Sequence, residues 1–436
     1  MKRRLSVLQW MLAGVLAAHV LAPLFAQQSA QRPATPKPPA RQALLAEAEA
    51  ALAREDYAGA VQALRRFLAE EPDDAHAQFQ LGYALTALGE REPARAAYER
   101  AVALKDDFAE AHLHLGLLLL DADPAAAVPH LARASALLTD AAQPRYLWGL
   151  ALERSGQMEP AVARYREAIR LDDKNFDAHF ALARVLLRTN QPAAAEVAFR
   201  AALERKPDAA AARLGLAESL ITQGKLEAAV PELEAYLAAQ PEDYDSRLQL
   251  AAVYLDLERW EAALAELDRV RAAGPSTARL HRLRAAAQIG LRQHAEAAAS
   301  LERAAALEPD NARTYAQLGR VYLELRNFPA AERALRRALE LDSQDTTALG
   351  DLAATLFLAG HYEAALAALD QLGERRRLAP GTWFLRAVCY DKLGRKPEAL
   401  RAYEEFLARD DGSNPRETFQ ARQRARTLKR ELERKR

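Results

Sequence analysis

A small residue returns every 34 positions along this chain: Ala48, Gly82, Gly116, Gly149, Ala183, Ala217, Ala251, Ala285, Gly319, Ala353 and Ala387. The intervals are 34, 34, 33 and then seven of 34. Twelve residues after each stands an alanine (Ala60, Ala94, Ala161, Ala195, Ala229, Ala263, Ala297, Ala331, Ala365 and Ala399, with Ala127 one residue early). Self-similarity at such a period marks an array of identical supersecondary units. One array can therefore run through 436 residues that length alone would divide into two or three domains.

Counting the small residue as slot 8 sets eleven repeats: 41–74, 75–108, 109–141, 142–175, 176–209, 210–243, 244–277, 278–311, 312–345, 346–379 and 380–413. In the second, Phe79, Leu81, Gly82, Leu85 and Leu88 recur at helical spacing and Gly89 stops the helix. Ala94, Tyr98, Ala101, Val102 and Leu104 then make one face of a second helix. Gly89, Gly156, Gly224, Gly360 and Gly394, with Asn190 and Asn327 read as equivalent, suit the left-handed conformation that ends a helix. Pro93, Pro160, Pro192, Pro329 and Pro397 fall in the first turn of second helices, where a missing N–H costs little. Helix axes approach to roughly 8–10 Å depending on the side chains between them, so Gly or Ala at slots 8 and 20 predicts the close end of that range.

The 34-residue helix–turn–helix unit, small at slots 8, 20 and 27 and with proline at 32, resembles the tetratricopeptide repeat (TPR) family. The run from Tyr315, YAQLGRVYLELRNFPAAERALRRALEL, is close to ideal for it. The resemblance implies an all-α, right-handed α-solenoid of about eleven units over residues 41–413. The aromatic it expects at slot 4 appears only as Tyr315 and Trp383, and His112, Arg145 and His179 stand there in other repeats. Repeat 3 has lost a turn residue around Asp121-Ala122-Asp123-Pro124, and repeat 8 carries His281, Arg282, Arg284 and His294 where neutral residues are usual. These departures are read either as local irregularities or as points adapted to a partner.

Residues 1–26 carry a basic start (Lys2, Arg3, Arg4), an apolar stretch from Trp10 to Leu21 and a cleavage site at Leu24-Phe25-Ala26, the pattern of a secretory signal. The rival reading is an uncleaved anchor, but Trp10 to Ala26 contains His19 and Pro23 and falls short of the roughly 20 residues that span a bilayer. Residues 27–40, with Pro33, Pro36, Pro38 and Pro39, read as an extended linker. Removing the signal leaves 57 basic against 60 acidic side chains, so a general nucleic-acid binder is not expected. Cys389 is the single cysteine, which excludes an intrachain disulfide, and it is expected as a buried thiol. Residues 414–436 read as a capping helix: Asn414 caps, Pro415 opens it, Glu417 closes a capping box, and Phe419, Ala425, Leu428 and Leu432 form the stripe that covers repeat 11. Arg422, Arg424, Arg426, Lys429, Arg430, Arg434, Lys435 and Arg436 make the other face, read as solvated or as a contact for anionic envelope polymers, phospholipid or nucleic acid.

No phosphate-cradling glycine loop, zinc-ligand cysteine pattern or nucleophile elbow occurs in the sequence, so no enzyme, cofactor or metal is expected. His112 and His114 stand two apart on a helix, and their side chains diverge. What remains is surface. In the resembled family slots 2, 5, 9 and 12 of the first helices commonly face a bound peptide. Carried onto this chain, slots 5 and 9 nominate Phe79, Tyr83, Tyr146, Phe180, Arg184, Arg282 and Arg320, an apolar ridge through repeat 7 that ends at Arg282. Slot-5 side chains packed between neighbouring first helices are the competing reading. The function expected is a non-enzymatic scaffold of a bacterial envelope, exported and periplasmic, that holds segments of other proteins in its groove. The alternatives are a targeting subunit for an enzyme such as a glycosyltransferase, or a polysaccharide- or peptidoglycan-binding protein. Membrane contact is expected only if the signal segment stays uncleaved.

Overall fold

The computed structural model describes residues 40–376 and 378–434; the signal and nearly all of the linker lie outside them. Among the described residues every regular element is a helix, and the helices fall into two compact bodies, one ending at Gly224 and one starting at Lys225. The first runs from Ala40–Ala53 to Ala210–Thr222, which makes five helix pairs and the first helix of repeat 6. The second runs from Leu226–Ala239 through five further pairs to the terminal helix Pro415–Glu433. Within each body every helix packs on the one before it and the one after it, the all-α stacking of a solenoid.

The small residues earn their place against slot 24 of the second helix. Leu64, Tyr98, Leu131, Tyr165, Phe199, Leu233, Leu267, Leu301, Leu335, Leu369 and Tyr403 (Leu131 one residue early, as its repeat is shorter) are all buried. A β-carbon at Gly82 would stand 2.7 Å from the Tyr98 ring, and at Gly149 2.8 Å from Tyr165. At Gly116 and Gly319 it would stand 2.5 Å from the Cγ of Leu131 and Leu335. Carbon pairs prefer about 3.5–4.0 Å, so these four sites admit no side chain without the two helices parting. All the slot-20 alanines are fully buried too.

The turn between the two helices is built at slot 15. Gly89, Gly156, Gly224, Gly360, Gly394 and Asn190 all have positive φ. So do Glu55, Glu258, Arg292 and Arg326, with φ of 56–60°, and these occupy the same slot. Asn327, read as left-handed, is instead one position late: Arg326 takes that conformation, and the Asn327 carboxamide caps the second helix by accepting from the Ala330 N–H. Repeat 3 has no positive-φ residue between its helices Ala109–Leu119 and Pro124–Leu137, so the deleted residue is the left-handed one.

The corner between repeats is closed twice. Asp74, Asn175, Asp243, Thr277, Asn311 and Asp345, all at slot 34, accept a hydrogen bond from a backbone N–H in the first turn of the next first helix. The polar residues at slot 4 then reach back six positions to a loop carbonyl. His112 Nε2 bonds Asp106 O at 3.1 Å, His179 Nε2 bonds Asp173 O at 3.0 Å, Arg213 donates to Pro207 O at 2.9 Å and Arg247 to Pro241 O at 2.9 Å. Gln78 does the same to Pro72 O at 3.3 Å, and Arg145 donates to Leu138 O and Ala141 O. The loss of the slot-4 aromatic is thus a change of local bonding: a side chain that ties down the loop replaces one that packs.

The terminal helix starts where expected, but the capping box does not form. Asn414 makes no side-chain cap, and Asn414 and Thr418 both donate to Asp410 instead. Ala421 and Leu428 are fully buried against Ala387, Tyr403 and Phe406 of repeat 11, with Ala425 partly buried beside them. Phe419, expected in that seam, is 64% exposed. Arg424, expected on the outer face, turns inward and holds Asp391 through two bonds of 2.6 and 2.7 Å.

Candidate interaction face of the first helices

In the first body the four nominated aromatics are half-buried, and three of them lean on the ring or rings at slot 24. The ring of Phe79 lies 5.8 Å from Tyr98, 5.0 Å from Phe108 and 5.4 Å from His114. Tyr146 lies 5.9 Å from Tyr165. Phe180 meets Phe199 edge-on at 6.0 Å and stacks on Phe176 at 5.7 Å. Tyr83 meets Tyr57 and His114. Aromatic pairs of this kind contribute about 0.5–1.5 kcal/mol beyond burial, so these rings are part of the framework between neighbouring helices. Burial pushes the Tyr146 hydroxyl up to about 12, and His114, enclosed by Phe79, Tyr83 and Tyr98, is pushed down to about 4 by burial.

The three nominated arginines are each engaged by a carboxylate. Arg184 donates to both oxygens of Glu153 at 2.8 and 2.9 Å. Glu153 is itself buried at slot 12 of the preceding repeat, and it also accepts from the Tyr165 hydroxyl at 2.8 Å and from Arg188 at 3.2 Å. One carboxylate thereby joins both helices of repeat 4 to the first helix of repeat 5. Arg282 pairs with Glu308, and Arg320 with Asp351 at 2.5 Å. Of the other unusual residues of repeat 8, Arg284 pairs with Asp268 and the buried His281 bonds Ser276 Oγ at 2.9 Å, while the buried Nδ1 of His294 has no hydrogen-bond partner among the described residues. Glu218 at slot 9 is the exception. It is half-buried, it makes no ion pair among the described residues, and burial raises its carboxyl.

His112 and His114 do diverge: His114 enters the aromatic cluster, while His112 Nδ1 meets His130 Nδ1 at 3.2 Å. Among the described residues no group of three or more His, Cys, Asp or Glu could hold a metal ion.

A concavity lies in the second body, lined by residues that sequence spacing did not nominate. About 310 Å³ opens between the first helices of repeats 10 and 11, Thr346–Leu358 and Pro380–Lys392. Its cause is Gly350. Slot 5 holds a ring in repeats 2, 4 and 5 but nothing here, and a β-carbon at Gly350 would find only Arg376 at 3.6 Å and Leu372 at 3.9 Å. Leu369, Leu372 and Leu385 supply apolar lining; Thr347, Thr382, Asp351 and Arg376 supply the polar groups. Asp351 is the partner of Arg320, so that nominated residue borders the concavity through its ion pair. Arg376 makes no ion pair among the described residues and is exposed.

Sequence models described as tetratricopeptide repeat match residues 42–74, 180–244, 220–287, 288–354, 326–381 and 355–414, and one described as TPR repeat matches 82–122 and 149–190. Together these ranges take in most of the helical chain. The chain belongs to the tetratricopeptide repeat family. Among solved structures this TPR protein is similar to MamA from Desulfovibrio magneticus RS-1, at 23% identity and a TM-score of 0.37 over 39% of this chain and 96% of that one. It is also similar to YrrB, described as a TPR protein with an unusual peptide-binding site, at 21% identity and a TM-score of 0.40 over 43% of this chain and 96% of that one. Yeast Tom70 aligns at 13% identity and a TM-score of 0.35 over 90% of this chain and 96% of that one. No curated protein matches the sequence. In the concavity Thr347, Gly350 and Ala354 stand at slots 2, 5 and 9 of repeat 10, and Gly381 at slot 2 of repeat 11. The signal for it was present at slot 5, as a glycine where other repeats have bulk.

Proposed function

We propose that this chain is a non-enzymatic scaffold that binds extended segments of partner proteins, and that the Gly350 concavity takes one side chain of the bound segment. The observation that carries this reading is the coincidence of the gap with slots 2, 5 and 9 of two adjacent first helices. Its leucine lining suits an aliphatic side chain, and Arg376 beside it suits a carboxylate on the same segment. Binding sites commonly pair an apolar lining with a small number of placed polar groups. Residues 1–26 support export, and with it a partner in a bacterial envelope.

Gly350→Leu tests the proposal, since it fills the gap without meeting a neighbour closer than 3.6 Å at its β-carbon. Affinity capture from envelope extracts should lose a protein partner that wild type retains, while circular dichroism and thermal midpoint hold. Capture of an unchanged set of partners by the folded variant sinks the assignment of this site.

A further inference from the structure

The terminal helix Pro415–Glu433 has a second face that the repeat array does not use. Its inner face is committed: Ala421 and Leu428 are buried, Arg424 holds Asp391, and Lys396 holds Glu431 at 2.6 Å. On the outside stand Arg416, Phe419, Arg422, Arg426, Lys429, Arg430 and Arg434, every one exposed, with a single exposed acid, Glu433, among them. Arg422, Arg426, Arg430 and Arg434 are spaced by four, so they form a single row with steps of about 6 Å along the axis. None of the six cations makes an ion pair among the described residues, although acids are available: the whole chain has 60 acidic against 60 basic residues. Residues 414–436 alone hold nine basic and three acidic side chains.

Two features of this face oppose stability. Like charges at a spacing of four weaken a helix, and the row repeats that arrangement three times over. Phe419 adds a large apolar ring, 64% exposed, between Arg416 and Arg422, although Ala421, Ala425 and Leu428 already cover repeat 11. A face that merely kept the cap soluble would need neither the uninterrupted row nor the ring.

The geometry points to a docking surface for an anionic phospholipid bilayer. The arginine row lies across headgroup phosphates, which guanidinium groups engage through paired hydrogen bonds, and Phe419 enters the boundary beneath the headgroups. Each cation near an anionic leaflet adds to the attraction, so a row of six acts together. Six cations and one ring share one side of a helix fixed to the array, and that side can lie along a plane. Binding of single-stranded nucleic acid uses several rings for successive bases to stack on, and this face offers one.

The full-length chain is sedimented with vesicles of phosphatidylcholine mixed with phosphatidylglycerol, and with pure phosphatidylcholine vesicles. Arg422→Gln/Arg426→Gln/Arg430→Gln/Arg434→Gln and Phe419→Ser change exposed side chains only, so helicity and thermal midpoint should equal or exceed those of wild type. Wild type should bind the anionic vesicles in a salt-sensitive manner. The arginine variant should lose at least about tenfold of the phosphatidylglycerol-dependent association, and Phe419→Ser should lose the part that salt does not screen. Because every protein carries the same apolar N-terminal segment, equal anionic binding by wild type and the arginine variant overturns the proposal. So does indifference to phosphatidylglycerol, or preference for a DNA duplex at equal phosphate concentration.

Discussion

Two glycines on first helices of the same body should respond oppositely to one added methyl group. In a helix interior Gly→Ala gains roughly 0.5–1 kcal/mol, because alanine loses less backbone freedom on folding. At Gly350 the new β-carbon meets nothing nearer than 3.6 Å, so that gain should stand in full. At Gly319 it would lie 2.5 Å from Leu335 Cγ and 2.8 Å from its Cδ2, about an ångström inside comfortable contact. Leu335 is fully buried and cannot swing away, so the helices must part. Overpacking of this kind costs about 1–3 kcal/mol, which cancels or exceeds the helical gain. The two variants should therefore differ by about 1–3 kcal/mol, or about 2–4 °C of thermal midpoint per kcal/mol in a body of this size. Urea titrations followed by circular dichroism measure this, with the slope checked for each variant, because repeat arrays can lose two-state behaviour. Leu335→Ala should cost less in the Gly319→Ala background than in wild type, because the new methyl group takes part of the space that the truncation opens. Equal stability of the two glycine variants, or an equal cost of Leu335→Ala in both backgrounds, would refute the slot 8 to slot 24 packing.

Three further outcomes are expected. Burial lowers His114 to about 4 and lowers His112, His130 and His281 as well; these imidazoles fold neutral, so stability should be level above pH 6.5 and fall as pH drops toward 4. His114 alone should supply about 3 kcal/mol of that fall, and His114→Phe should flatten the profile of urea midpoint against pH. Cys389 is fully buried and burial raises its thiol to about 11, so Ellman's reagent at pH 8 should leave the native chain unmodified and label it fully in urea. Glu153→Ala strands the Tyr165 hydroxyl and leaves Arg184 and Arg188 without their carboxylate; it should cost about 2–4 kcal/mol, and a double-mutant cycle with Arg184→Ala should show coupling, where additivity would dismiss the cluster.

The fold was legible because its cause is periodic. Gly82, Gly149 and Gly319 are small for a reason that recurs every 34 residues, and a recurring reason shows in one sequence. The turns were half legible. Glycine announces a left-handed residue at Gly89 or Gly360, but Glu55, Glu258, Arg292 and Arg326 adopt the same conformation because the two packed helices impose it. Local propensity gave no hint of them, and Asn327 misled by one position. The site was least legible. Slot counting names Phe79, Tyr146 and Phe180 by the face each side chain leaves from, and it gives no sign of the ring each also meets, here Tyr98, Tyr165 and Phe199. Arg184, Arg282 and Arg320 looked available because their carboxylates are 26 to 31 residues away. Gly350 was passed over because slot counting looks for side chains, and the concavity beside it comes from the lack of one.

The bond from slot 4 back to the loop carbonyl spans only six residues, and so it needs no neighbour to form. His179 and Asp173, Arg213 and Pro207, or Arg247 and Pro241 can find each other while the rest of the array is still disordered. Contacts this local cost little loop-closure entropy and form early. Corners of this array are thus candidate starting points for folding, several per chain and chemically alike. A polypeptide made this way has no single nucleus to lose: a substitution at one corner should slow its own vicinity and leave assembly to begin from the next.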